Sequence, residues 1–246
     1  MTLLAPARVR TSVAPALVAV SHGTSSPLGQ RAVASLVAAV RLTARDLTVS
    51  AGFVDVQQPD VPATLGALPP ERSAVTVPLL LSAGYHVHVD LRRALGKELR
   101  PTSLAGALGP DERLVDVLVH RLRQSGLRRS DRIVLGAAGS SDARAVADCD
   151  DMGRRLASRL GRPVTVGFIS AASPRLPDAV ARERERHPGA RVVVSTYLLA
   201  PGYFADLAAS SGADVTTAPL LDGRSEPHAQ LVDLVLDRYD EAQRDR

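Results

Sequence analysis

His86, His88 and Asp90 fall within five residues of one another and form the densest group of metal-capable and proton-transferring side chains in the chain. Imidazole nitrogen binds divalent first-row metals and exchanges protons near neutral pH, and a carboxylate adds an oxygen ligand or orients the imidazole. The segment before them, Val75 to Leu81, is apolar and of strand length, the pattern of a parallel strand covered on both faces. Such strands open at their carboxyl ends into ligand crevices. Gly84 breaks the run, and because residues two apart share a face only in extended backbone, a turn there separates the roles of His86 and His88.

Two further candidates follow strands of the same kind. His22, in Ser-His-Gly-Thr-Ser-Ser-Pro, comes directly after the run Ala16 to Ser21, and Gly23 allows a sharp turn that presents the imidazole to the crevice. Asp55 ends a second run before Gln-Gln-Pro, where it either caps the turn or supplies a carboxylate. In a flavodoxin-like sheet its strand is expected between the two histidine-bearing strands, so that two imidazoles and a carboxylate make an open site for Fe²⁺, Co²⁺ or Ni²⁺. His120, His187 and His228 lie in or beside helical segments and read as structural or solvated. The His22 loop has neither the Walker lysine nor the Rossmann glycine spacing, so no nucleotide is expected.

The elements that must position these residues are strands at Ala16 to Ser21, Leu47 to Val54 and Val75 to Leu81, with a weaker one at Ser103 to Leu108. Helices are expected at Leu28 to Thr43, Pro59 to Leu68, a segment carrying Arg92, Arg93 and Lys97, and Asp111 to Gln124, which closes the unit. After Gly126 to Asp131 the pattern restarts with a strand from Arg132 and a helix from Ala143 to Leu160. Gly52-Phe53 with Pro59 and Pro62 recurs as Gly167-Phe168 with Pro174 and Pro177, and Gly84-Tyr85 recurs as Gly202-Tyr203. The chain therefore reads as two tandem flavodoxin-like βα repeats, residues 1–128 and 129–246, each a small parallel sheet flanked by helices with a cleft between the lobes.

The duplication supplies an internal control. It sets Ala138 opposite His22, Ser170 opposite Asp55, Phe204 opposite His86 and Asp206 opposite His88. Residues needed only for folding would recur in both halves, so function is assigned to the first repeat and the second supplies the facing wall.

Composition narrows the classes. A chain of 246 residues that is 45% hydrophobic but only 3% aromatic, without Trp, has an aliphatic core. One cysteine excludes an internal disulfide and an all-cysteine zinc or iron–sulfur cluster, and it points to a reducing cytoplasm. Cys149, flanked by acids, is expected to be inert. The apolar stretch before His22 is too short to span a membrane. The net charge of +4 comes mainly from arginines mixed with acids, as in the run 182–186, so no nucleic-acid partner is expected.

The three motifs together, Val-Ser-His22-Gly-Thr-Ser-Ser-Pro, Gly52-Phe-Val-Asp55-Val-Gln-Gln-Pro and Pro78-Leu-Leu-Leu-Ser-Ala-Gly-Tyr-His86-Val-His-Val-Asp90, resemble the class II chelatase family. They are most similar to its sirohydrochlorin chelatases, over about residues 16 to 240. The resemblance implies an ATP-independent lyase that inserts iron, cobalt or nickel into a reduced tetrapyrrole held between two lobes. His22 and His86 match the family histidines. Asp55 stands where the family has Glu, a shorter arm beside the metal. The sister repeat, with Phe204 and Asp206 opposite His86 and His88, sets His88 as an auxiliary metal ligand, and Tyr85, Arg92 and Arg93 are the candidates for contacting the substrate and its carboxylates. Iron insertion for sirohaem is the first expectation, with cobalt insertion for a corrinoid and a non-catalytic metal or tetrapyrrole carrier as alternatives. The protein is expected to be a monomer or homodimer.

Overall fold

The structure, a computed structural model, describes residues 14–82, 91, 95 and 100–244. The first repeat contains β1 (Ala16–Ser21), α1 (Pro27–Thr43), β2 (Val49–Phe53), α2 (Val61–Gly66), β3 (Ala74–Pro78), β4 (Thr102–Leu104) and α3 (Glu112–Gln124). The second contains β5 (Arg132–Ala137), α4 (Ala143–Leu160), β6 (Val164–Phe168), α5 (Leu176–Arg186), β7 (Val192–Tyr197), α6 (Tyr203–Ala209), β8 (Val215–Thr216) and α7 (Ala229–Arg244). Each repeat forms a parallel sheet, in the orders β2-β1-β3-β4 and β6-β5-β7-β8.

The order corrects one expectation. The His22 strand, β1, is the inner strand, paired on one side with β2 and on the other with β3, while the Asp55 strand lies at the edge. In a 2-1-3-4 order the chain's first strand occupies the centre because the right-handed crossovers to β2 and β3 leave in opposite directions. His22 therefore stands between the Asp55 turn and the chain leaving β3. The expected strand through Leu81 ends at Pro78, although the Leu79 N–H still donates to the Val20 carbonyl at 2.7 Å.

Local capping explains the helix starts. Ser26, Asp60, Asp111 and Asp142 each accept a backbone N–H from the first turn of α1, α2, α3 and α4. The sheets bury Leu17, Val75, Val77, Ile133, Leu135 and Val193, all at most 2% exposed, between layers of helix.

The closing helices do not pack where the linear order suggests. α3, expected to close the first repeat, lies against α4 and β7 of the second, whereas α7 returns to lie against α1, β3 and β4 of the first. The exchange is fastened by polar contacts. The Arg121 guanidinium, 5% exposed, donates to Asp222 Oδ2 at 3.0 Å and to the Leu220 carbonyl at 2.9 Å. Arg238 Nε donates to the Ala107 carbonyl at 2.8 Å, and the Tyr239 hydroxyl to the Pro15 carbonyl at 2.7 Å. One apolar core accordingly runs through both repeats, joining Leu17, Val75, Leu114, Leu118, Leu135, Met152, Leu231 and Val235.

Candidate active site

β1 delivers His22 to the end of the first sheet, and the sheet-like bonding continues past the strand to hold it. Val54 N–H donates to the Ser21 carbonyl at 3.0 Å, and Asp55 N–H to the His22 carbonyl at 3.0 Å. The backbone then turns at Gly23, where φ is +94° and a Cβ would stand 2.0 Å from the Asp55 carbonyl oxygen. Only glycine satisfies both demands. Beyond the turn, Thr24 N–H donates to Gln57 Oε1 at 2.9 Å, and Gln30 Nε2 to the Thr24 carbonyl at 2.8 Å. The loop is thus tied both to the Asp55 turn and to the first turn of α1. His22 is exposed and lines a cavity of about 670 Å³ between the two repeats.

Asp55 meets His22 through the backbone rather than through its side chain. Its Oδ1 accepts the Val56 N–H at 2.7 Å, so the carboxylate caps its own turn, and the cavity is lined there by Val56 and Gln57. Val56 has φ +65°, a left-handed conformation that costs a β-branched residue energy and persists only where the surroundings impose it. The second repeat keeps the same turn. Ser170 N–H donates to the Ala138 carbonyl at 2.9 Å, Ala171 has φ +53°, and Gly139 has φ +87° with a Cβ position 1.9 Å from the Ser170 carbonyl. Ala138 and Ser170 thus occupy the places of His22 and Asp55, as the sequence repeat sets them.

The facing wall comes from the second repeat: Ala137 at the end of β5 with Ala138 and Gly139 beyond it, and Leu199 through Ala205 after β7. Tyr197 closes the floor, its hydroxyl donating to the Leu81 carbonyl across the repeats at 2.8 Å. Burial pushes that hydroxyl well above the ordinary tyrosine range, so it remains a proton-bearing donor. Cys149 also reaches the cavity, but it is 5% exposed, and burial followed by the charges of Asp148 and Asp150 pushes its thiol up to about 12. The upward direction is the one expected from its acidic neighbours, with burial the larger cause.

Tyr85, His86, His88, Asp90, Arg92, Arg93 and Lys97 lie outside the described residues. The chain that leads to them, Leu79 through Ser82, lines the cavity next to His22. Among the described residues no group of three or more His, Cys, Asp or Glu is placed to hold a metal ion, and no helix is long and apolar enough to cross a membrane. Of the other histidines, His120 on α3 and His228 just before α7 form an edge-to-face pair 5.4 Å apart, and His187 ends α5 with Nε2 3.8 Å from Glu183. Sequence reasoning did not single out Gln57, whose amide pins the His22 loop; its only signal was its place in the Gln-Gln-Pro turn.

The family model described as CbiX matches the chain twice, over residues 16–125 and 132–242. Among solved structures, SirB from Bacillus subtilis with Fe³⁺ is similar at a TM-score of 0.77 and 20% identity, covering 93% of this chain and 95% of that one. The sirohydrochlorin chelatase SirB from Bacillus subtilis subspecies spizizenii in complex with cobalt gives 0.71 and 19%, with the same coverage. The structure of CbiX, described as the terminal enzyme for biosynthesis of siroheme in denitrifying bacteria, gives 0.66 and 16%, covering 92% of this chain and 99% of that one. No curated protein matches the sequence.

Proposed function

The chain belongs to the CbiX family, and we propose that it is a sirohydrochlorin chelatase that inserts a divalent metal, Fe²⁺ ahead of Co²⁺, into a tetrapyrrole polycarboxylate without a nucleotide. The observation that carries this reading is the placement of His22. It projects from the central strand of one sheet into an inter-repeat cavity of about 670 Å³, within the range of small-molecule sites. Metal insertion removes two pyrrole protons, and a positioned imidazole is the side chain suited to accept them near neutral pH. We assign His22 and His86 to proton acceptance and metal delivery. Asp55 holds the turn beside His22 and supplies negative charge to the incoming ion, and His88 collects metal at the cavity mouth. Tyr85, Arg92 and Arg93 are assigned to the substrate. Metal is a substrate in this scheme and not a resident cofactor.

The same reading places the active half in residues 1–128 and the supporting half in 129–246, in a cytoplasmic protein that works as a monomer or homodimer. It requires no membrane and no nucleic acid. The test is to incubate the purified protein, without ATP, with sirohydrochlorin and Fe²⁺, Co²⁺ or Ni²⁺ in turn and follow the pigment's absorbance against the spontaneous reaction. Many products per protein support a chelatase. At most one per protein identifies a carrier instead and defeats the proposal, and the metal with the highest kcat/KM decides between sirohaem and corrinoid synthesis.

A further inference from the structure

The second repeat's wall carries a feature that the catalytic assignment leaves unused. The chain has four tyrosines, three phenylalanines and no tryptophan, yet Tyr203 and Phe204 stand side by side at the cavity, 73% and 38% exposed. Their ring centroids are 6.1 Å apart with planes inclined by 38°. Exposed large apolar side chains among the described residues are Leu42, Val56, Tyr203, Phe204 and Leu207. Three of these, Val56, Tyr203 and Phe204, line the cavity, and Leu207 follows one turn later on α6. Apolar exposure gathered at one place marks a surface that a ligand covers.

The wall around the aromatic pair is stripped of reach. Ala137, Ala138 and Gly139 flank it on one side and Ala200, Pro201 and Gly202 on the other, and no Lys, Arg, Asp or Glu is among the described lining residues. Such a surface offers no charged described side chain to pair with a carboxylate, whereas a flat conjugated ring can lie against it. The pair is also fixed relative to His22. A Cβ on Gly29, in the first turn of α1, would stand 2.2 Å from the Pro201 carbonyl oxygen, and one on Gly202 would stand 3.1 Å from Thr24 Oγ1. The loop before Tyr203 therefore rests directly on the loop that carries His22.

We propose that Tyr203 and Phe204 form the platform that takes one face of the macrocycle in the cavity that His22 lines. The inference rests on the chelatase reading above and adds which wall holds the ring. Stacking on aromatic side chains discriminates by flatness and polarisability, and it strengthens affinity without taking part in proton transfer.

The experiment measures binding apart from turnover. Metal-free sirohydrochlorin is titrated with the wild type and with Tyr203→Ala, Phe204→Ala, Phe204→Leu and Phe204→Tyr, following the pigment's absorption band, and steady-state rates are measured on the same proteins. Phe204→Ala should weaken binding and raise KM by about tenfold, with kcat within about threefold, the mark of lost uniform binding. Phe204→Tyr should bind like the wild type and Phe204→Leu in between. Wild-type affinity in both alanine variants, or a loss confined to kcat, overturns the platform while leaving the chelatase reading in place. A wild type that neither binds nor metallates the pigment overturns both. If Phe204→Ala does not fold, Tyr against Leu at position 204 decides, and equal affinities refute stacking.

Discussion

Gly29→Ala separates the local preferences of α1 from the contact between repeats, because the two predict opposite signs. Gly29 lies in the first turn of a helix, with its N–H donated to Ser26 Oγ at 3.3 Å. Judged on α1 alone, alanine should stabilise by about 1 kcal/mol. The added methyl, however, would meet the Pro201 carbonyl oxygen at 2.2 Å and Thr24 Cγ2 at 2.9 Å, both inside the 3.0 Å that real Cβ contacts essentially never cross. The first of these is backbone and cannot swing away, so α1 and the 200–204 loop must part. Overpacking of this kind costs about 1–3 kcal/mol, and the wider range reflects how far the loop can yield. With an unyielding backbone atom in the way the upper part of that range applies, about 2–3 kcal/mol, and after the helix gain the net loss of roughly 1–2 kcal/mol lowers Tm by roughly 2–8 °C for a chain of this length. Gly66→Ala is the control: it sits in α2 with nothing within 4 Å of the added carbon and should match or exceed the wild-type Tm. Thermal melts of the three proteins decide. A Gly29→Ala variant that melts at or above the wild type would refute the close approach of the two repeats.

Three other expectations can be checked on the same preparations. His22→Ala should reduce insertion by at least about a hundredfold, the usual worth of a positioned acid–base group, while Tm stays near that of the wild type because the imidazole is exposed; unchanged turnover removes His22 from the site. Asp55→Asn keeps an oxygen for the Val56 N–H and should preserve Tm while slowing turnover about tenfold, so that full activity would leave Asp55 only its turn. Burial opposes ionisation of Asp222, but the N–H groups of Ser225 and Arg224, the Ser225 hydroxyl and the Arg121 guanidinium outweigh it and hold the carboxyl down to about 2. A carboxyl depressed on folding contributes fully above its unfolded value of about 4, and its contribution is lost as pH falls through the folded one. Melting temperature should therefore drop between about pH 4 and pH 2, less steeply in Asp222→Asn, whose Tm at pH 7 should already be lowered by a buried Arg121 without its counter-ion; parallel pH curves for the two proteins refute this.

The strands and the repeat frame were legible because their determinants are local. Apolar runs of strand length, Gly23 at a position where no Cβ fits, and the equivalence of Asp55 with Ser170 all reappear in the structure, down to the left-handed residues Val56 and Ala171 that follow each. Strand order and helix exchange were not legible, since an apolar run does not name its neighbours and an amphipathic face does not name its partner. The nearest signal was Arg121. It falls on the stripe of α3 that also contains Leu114 and Leu118, and a buried guanidinium there requires acceptors, which Asp222 and Leu220 supply from the other repeat.

The comparison of the two halves also divides what the fold requires from what function requires. Both keep the turn geometry after their first and second strands, so that geometry belongs to folding; Ala138 and Ser170 stand in for His22 and Asp55 without disturbing it, so the fold demands neither side chain, although the Asp55 carboxylate also accepts the Val56 N–H. The exchanged helices extend the argument to the cavity. Because α3 and α7 each pack on the opposite repeat and one apolar core joins both, parting the lobes would expose Leu114, Leu118, Leu231 and Val235, none of them detectably exposed. At about 1.5–3 kcal/mol for each such side chain, that motion costs about 6–12 kcal/mol. The resting width of the slot is accordingly set by the fold, and on the chelatase reading proposed above a flat substrate would lie against the wall that carries Tyr203 and Phe204, beside the His22 loop.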